Sequence, residues 1–370
     1  MKRSPLHEIH KSLGARFAEV DGWEIPANYG DPVAEHLAAR KEVGIMDISH
    51  RGKVSVSGKD RTKFLQKILS QDMNKLAPGT GGYSTLLNTK GHMLAYMRIY
   101  SDEESFLIDT EPGLAEKIVQ ALTHYLFRED VKIEDVTLKY GLITIQGPRS
   151  RELLGKVGDA DVKDMAECAH TNLSINNVSC RVVRTTYTGE EGYDIYVPWN
   201  DAPGVWQAIL SGGIGHEITP FGLYALETLR IEAGTPVYNV DMDEDTIPIE
   251  ANLDKAVSYD KGCYVGQETI ARIKFRGHVN MTLTGISITN PSLPAGFISQ
   301  KGDSICEIIG DSEHDIGFIT SGCFSPTLNR PIALGYLRVE HSKPGKEVFI
   351  DKGSKRIAGT VARLPFYNPP

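Results

Sequence analysis

Near residue 280 the sequence changes its period, and that change constrains the fold more than any other feature. From Met281 onward helical patterns nearly vanish. Short β segments (281–288, 304–309, 316–320, 332–338, 346–350, 356–363) follow one another, separated by Gly, Pro, Asn and Asp. Short strands at that spacing predict a small barrel or sandwich. The connector falls at 275–282, where Phe275-Arg276-Gly277-His278 breaks the preceding pattern. A chain of 370 residues is too long for one ordinary core, so two or three domains are expected.

Upstream, helix and strand patterns alternate. Val33 to Val43 reads as a helix stopped by Gly44, and Lys53 to Ser57 as a strand. Asp60 is placed to cap a helix carrying Phe64, Leu65, Ile68 and Leu69 on one face. Tyr83–Asn88 and Met93–Tyr100 read as strands joined through Thr89-Lys90-Gly91, and 106–108 extends their sheet. Pro112 opens a helix with Leu114, Ile118 and Leu122 inward. A second αβ set comprises strands 142–146, 181–186 and 193–197, helix 148–156, and a helix ending at Gly234.

Charge and composition exclude several functions. A net charge of −8 opposes nonspecific nucleic-acid binding, which needs a cationic surplus. The five cysteines (168, 180, 263, 306, 323) contain no C-x-x-C pair, which argues against a zinc knuckle or an ordinary cluster-ligating run. No metal site is expected. No apolar run follows the basic start at Met1-Lys2-Arg3, so no secretory signal is expected. No stretch approaches the roughly 18 apolar residues of a membrane span, and a soluble cytoplasmic protein is the expectation. Neither a G-x-S-x-G elbow nor an H-E-x-x-H helix occurs. Gly79–Gly82 lacks the lysine and hydroxyl of a phosphate loop.

One run carries chemistry: Lys261-Gly262-Cys263-Tyr264-Val265-Gly266-Gln267-Glu268. It sets Cys263 between a lysine and a helix start, both of which favour thiolate. Flanking glycines let the backbone turn sharply. Thr188-Gly189-Glu190-Glu191-Gly192-Tyr193-Asp194 is a turn entering a strand. Glu190 and Glu191 read as a solvated hairpin tip. Asp194 lies within the strand among Tyr193, Ile195 and Tyr196, where a carboxylate suits the adjacent N–H donors of a flat heterocycle such as a pterin. Arg230 and Glu232 read as fold-stabilising, and the acidic run 241–245 as a solvated loop or one that pairs with nearby basic residues.

These residues resemble the folate-binding superfamily of the glycine-cleavage aminomethyltransferase (T-protein) and its YgfZ paralogue, over nearly the whole chain. Pro5-Leu6-His7-Glu8, Gly22-Trp23-Glu24-Ile25-Pro26, Tyr187 to Tyr193 and Pro365-Phe366-Tyr367 carry the T-protein likeness. The resemblance implies an α+β fold: a three-domain cloverleaf around a central tetrahydrofolate channel. Residues 1–275 would form two interleaved αβ domains and 282–370 the C-terminal β-barrel.

Other motifs are similar to the YgfZ branch: Lys261 to Glu268, Thr89-Lys90-Gly91-His92-Met93, and Ser49-His50-Arg51-Gly52. T-proteins typically carry methionine where Arg51 stands, and an acidic pair where this chain has Ala95 and Tyr96. Their folate-site arginine aligns with Leu226, and their pterin-binding glutamate with Asp194. The YgfZ likeness implies a tetrahydrofolate-binding protein that serves iron–sulfur cluster assembly or maintenance, with Cys263 and Lys261 as the reactive pair. Its partners would be folate and iron–sulfur proteins or assembly factors, with no nucleic acid and no membrane. Asp194 would anchor the pterin, Tyr83, Tyr96 and Tyr187 would line the channel, and Arg272 would tune the thiol or hold the folate tail. The rival is a folate-dependent aminomethyl- or methyltransferase that uses a different acid; a structural protein with a vestigial channel is the third reading.

Overall fold

The computed structural model describes residues 1–159, 162–213, 218–288, 298–309, 312–352 and 355–369. Three sheets and a closed barrel build the fold. Its mixed α/β character and its C-terminal barrel agree with the expectation. A small sheet pairs Lys2–Arg3, Trp23–Asn28 and Arg16–Val20 near the N-terminus.

The first large sheet is antiparallel, in the order 81–87, 93–101, 105–110, 52–57, 132–135. Its inner face packs with helices Arg61–Ile68 and Ala115–His124 around Val54, Phe64, Leu86, Ala95, Ile108 and Ile118. Helix 61–68 begins where Asp60 was expected to cap it. The Asp60 side chain makes no capping bond, because it accepts from the Asp130 amide instead.

The second large sheet runs 170–175, 178–185, 192–198, 140–146, 43–47, 218–220. Only the pairing of 218–220 with 43–47 is parallel. Strand 43–47 begins where Gly44 was read as a helix stop. Gly44 faces Phe221 so closely that a Cβ would lie 2.8 Å from its ring. The glycine is therefore required by packing inside a strand and marks no turn.

The barrel closes through 281–288, 330–338, 312–325, 304–309, 347–351 and 356–362. Its interior is aliphatic, with Ile286, Ile305, Ile319, Ala333, Val348 and Val361 fully or nearly buried. The segment expected at 316–320 is the centre of one 14-residue strand, 312–325. That strand bulges between Ile319 and Ser321, which bends it across both ends of the barrel. Helix Leu223–Glu232 lies against this strand and against helix Pro32–Lys41, and so joins the barrel to the second sheet. No helix of the described residues is long and apolar enough to cross a membrane.

Candidate functional site

Two cavities, of about 390 and 450 Å³, meet between the sheets. Arg51, Arg98, Glu111 and Tyr187 line both and form the junction.

Strand 93–101 decides which side chains reach this space. Its residues alternate, as strand geometry demands. Ala95 is fully buried in the core of the first sheet, whereas Tyr96 and Arg98 face the cavity. Of the two positions where the T-protein likeness implies acids, only 96 therefore opens on the site, and it holds a phenol. Burial raises the Tyr96 pKa above its ordinary value, so the phenol is neutral at physiological pH. Its ring stacks on Tyr83 at 5.7 Å with the planes 7° apart.

The junction is a buried ion cluster. Arg51 donates to Asp109 Oδ1 from Nε (2.9 Å) and Nη2 (2.6 Å), and from Nη1 to Glu111 (2.7 Å). Tyr196 supplies a phenolic donor to the other Asp109 oxygen at 2.8 Å. Arg98 Nη1 lies 2.6 Å from Asp194 Oδ2, and Arg98 Nε is 3.6 Å from Asp109. Groups buried at this depth persist only when paired. Asp194, which faces the first cavity, thus commits one oxygen to Arg98.

The loop that carries His50 and Arg51 is held from beneath. Lys53 is wholly buried, and its Nζ donates to the carbonyls of Ser49 and Arg51, each at 2.9 Å. Burial lowers its pKa to about 8. Burial likewise pushes His50 down to about 3, which leaves a neutral imidazole on the first cavity.

The second cavity holds a carboxylate that no motif marks. Glu167 accepts from Thr186 Oγ1 (2.6 Å), Tyr83 OH (2.9 Å) and Lys255 Nζ (3.1 Å). Burial alone would raise its pKa, but these hydrogen bonds outweigh it and lower the value, so the group is anionic. Tyr367 and its neighbours Pro365, Asn368 and Pro369 complete the wall.

Among the residues expected in the site, Tyr83, Tyr96, Tyr187 and Asp194 are brought together here. Arg272 is not. It is exposed on helix Gln267–Arg276 and lines neither cavity. Lys261, expected to act with the thiol, has its side chain turned to the backbone. Its Nζ donates to the carbonyls of Leu69 (2.6 Å) and Gln71 (2.7 Å) and lies over the Tyr264 ring. The ammonium is thereby committed to the backbone after helix 61–68, and burial lowers its pKa to about 8.

Cys263 itself is exposed, whereas Cys168, Cys180, Cys306 and Cys323 are buried. It lines neither cavity. Gly266, which caps helix 267–276 with φ +80°, comes within 2.6 Å of Asn88 O when a Cβ is added. The Cys263 loop therefore packs on the 88–91 turn. Glu190, read as a solvated tip, is instead buried against Arg40 at 3.1 Å. No cluster of three or more His, Cys, Asp or Glu side chains suited to a metal occurs among the described residues.

This architecture has close counterparts. The GCVT N-terminal domain description matches residues 6–261, and the glycine cleavage T-protein C-terminal barrel domain matches 283–368. The chain belongs to the glycine-cleavage T-protein family. It is 32% identical to an aminomethyltransferase of Halothermothrix orenii, covering 99% of this chain and 100% of that protein. It is 33% identical to one of Chloroherpeton thalassium, covering 99% of each. The crystal structure of the glycine cleavage system aminomethyltransferase T from Bartonella henselae superposes with a TM-score of 0.88 at 28% identity, over 100% of this chain and 98% of that one. Aminomethyltransferases of the family use tetrahydrofolate as the one-carbon acceptor.

Proposed function

We propose that this T-protein relative binds tetrahydrofolate in the central cavity and acts as a folate-dependent one-carbon transferase. The observation that carries this reading is the end-to-end match to aminomethyltransferases combined with an aromatic-walled cavity between the two large sheets. Asp194 keeps one oxygen for the pterin N–H edge, while the other holds Arg98.

The chemistry departs from aminomethyl transfer in one respect. A one-carbon unit leaving an amine needs a carboxylate close to the reacting nitrogen, to handle protons and to offset developing positive charge. Ala95 and Tyr96 supply none. The carboxylates that line the second cavity are Glu111, tied to Arg51, Glu167, tied to Tyr83, and the exposed Asp254, tied to Tyr259 and Lys274. Transfer here would draw on one of these. The first test is a calorimetric titration with (6S)-tetrahydrofolate. An absence of binding by folded protein would sink the reading.

A second reading is favoured by the Cys263 loop: a YgfZ-type role in iron–sulfur cluster assembly or maintenance, in which Cys263 meets a client protein. Its support is that this is the one exposed thiol of five, set in a loop similar to that branch. Five free thiols also suit a reducing compartment, the cytoplasm. Cells lacking the protein would then lose activity of cluster-dependent enzymes, and Cys263→Ser would fail to restore it.

A further inference from the structure

Asp21, Tyr224, Glu227 and Asn239 are the exposed residues that line the first cavity, and they mark its mouth. Leu226, half-buried, stands just inside them on helix Leu223–Glu232. Two carboxylates, a phenol and an amide thus frame the opening. Among the described residues no exposed cation lines it. Asp21 has no ion pair or hydrogen bond among the described residues, so its charge is uncompensated.

The cations of this cavity lie deeper, and each is already balanced by a carboxylate. Arg51 is paired with Asp109 and Glu111, and Arg98 with Asp194. Arg230, on the helix that carries Leu226, is wholly buried. Its Nη1 donates to Asp241 at 2.6 Å, its Nη2 to Ser321 at 2.6 Å, and its Nε to Glu227 at 2.9 Å. Of the ionised side chains that line the space, Asp21, Glu111, Asp194 and Glu227 therefore outnumber Arg51, Arg98 and Arg230. An anion passing the mouth meets a surplus of its own sign, felt over about one Debye length, roughly 10 Å at 0.1 M salt.

That surplus bears on one end of a folate. The pterin is neutral, whereas every glutamate of the tail adds a negative charge. Asp194 lines the first cavity and not the second, so a pterin held there sends its tail out past Asp21, Leu226 and Glu227. We propose that this mouth filters folates by tail length: it admits the monoglutamate, or a reduced pterin with an uncharged tail, and disfavours each further glutamate. This rests on folate occupying the central cavity with its pterin on Asp194. No bond is made or broken in the step, which is recognition alone.

The experiment is calorimetric titration of the full chain with (6S)-tetrahydrofolate and with its triglutamate, at low and at high salt. Wild type should bind the triglutamate about threefold or more weaker at low salt, with the gap closing as salt screens the mouth. Asp21→Asn removes the uncompensated charge from an exposed position and should narrow the gap. Leu226→Arg sets a cation in the path of the tail and should turn the preference toward the triglutamate. Thermal melts report whether each variant folds, and the Asp21 variant decides the matter if the Leu226 variant does not. A wild type that binds the triglutamate as tightly as the monoglutamate or tighter overturns the proposal while leaving folate binding intact. So does a gap that Asp21→Asn leaves unchanged, or a preference that folded Leu226→Arg leaves unchanged. If folded wild type binds neither compound, the folate reading falls and this inference with it.

Discussion

Arg40 and Glu232, 192 residues apart in sequence, meet in the interior with Arg40 Nη2 and Nε at 2.7 and 3.1 Å from one Glu232 oxygen. Around this pair the modules of the chain converge. Arg40 also donates to Thr188 O and Glu190, in the turn that follows Tyr187. Ser325 and Thr327, at the end of the long barrel strand, donate to the Glu232 carboxylate. The Glu232 carbonyl accepts from the amides of Phe366 and Tyr367, and the Tyr367 ring lies 4.2 Å from the Arg40 guanidinium. One ion pair thus fixes the second sheet, the barrel and the C-terminal wall of the cavity relative to one another.

Removing the charge should therefore cost global stability in a pH-dependent way. Burial alone would raise the Glu232 carboxyl pKa, but hydrogen bonds from His36 and Ser325 and the charge of Arg40 bring it from 4.5 to about 2. A depressed folded value means the contribution is complete above the ordinary range and is lost as pH falls from 4.5 toward 2. Glu232→Gln should lose on the order of 3 kcal/mol at pH 7. Denaturant melts at pH 7, 4.5 and 3 should show the gap to wild type narrowing in acid. A gap that stays constant across these pH values would refute the assignment.

Elements whose fate is decided locally were legible in the sequence. The barrel strands announce themselves by period and by their Gly and Pro breaks, and the hairpin through Gly91 by its turn residues. What escaped was set by distant partners. Glu190 sits in a polar tip by every local criterion, and distant partners, Arg40 150 residues away and Tyr367, meet it where it is buried. Arg98, Glu111 and Glu167 come from three separate elements without a shared motif, and they become a site only when the two large sheets face each other. The partners of Lys261 escaped for the same reason: adjacency to Cys263 in sequence says nothing of the carbonyls at 69 and 71 that accept from its ammonium. For Arg98 a signal was present, since an arginine at an alternating strand position opposite Tyr96's core-facing neighbours needs a buried acceptor.

Asp194→Asn tests the pterin anchor. A neutral amide retains the shape but loses the charge-assisted bonds to the ligand and weakens the hold on Arg98. Affinity for (6S)-tetrahydrofolate should fall roughly ten- to hundredfold, equivalent to about 1.5–3 kcal/mol. Titration at equal folded fraction measures this directly. Unchanged affinity would move the pterin away from Asp194.

Position 96 predicts what the protein does not do. With a neutral phenol in place of an acid, aminomethyl-loaded carrier protein and tetrahydrofolate should yield no methylene-tetrahydrofolate at ordinary enzymatic rates. Tyr96→Asp restores a carboxylate at the cavity face, and any gain of turnover in that variant locates the missing function. Leucine at 226, where the family likeness implies an arginine, limits the expected rescue to a partial one. Brisk aminomethyl turnover by wild type, read by product chromatography, would contradict the argument.

Cys263 should be the thiol that reagents find first. Exposure separates it from the other four, which are buried. Burial pushes Cys168, Cys180 and Cys306 up to about 12, and Cys323 upward as well. At neutral pH those four hold almost no thiolate, and thiolate is the reactive form. Native protein treated with limiting iodoacetamide and read by peptide mass spectrometry should therefore label Cys263 well before the rest, with the others following only on unfolding. The Lys261 ammonium is spent on the Leu69 and Gln71 carbonyls, so Lys261→Met should destabilise the loop yet change the Cys263 labelling rate only as far as the loop moves. Cys263→Ser, at a site that lines neither cavity, should leave both thermal stability and folate affinity within error of wild type. If labelling is spread evenly over the five cysteines in folded protein, or if the serine variant loses folate, the separation of the thiol surface from the folate cavity is wrong.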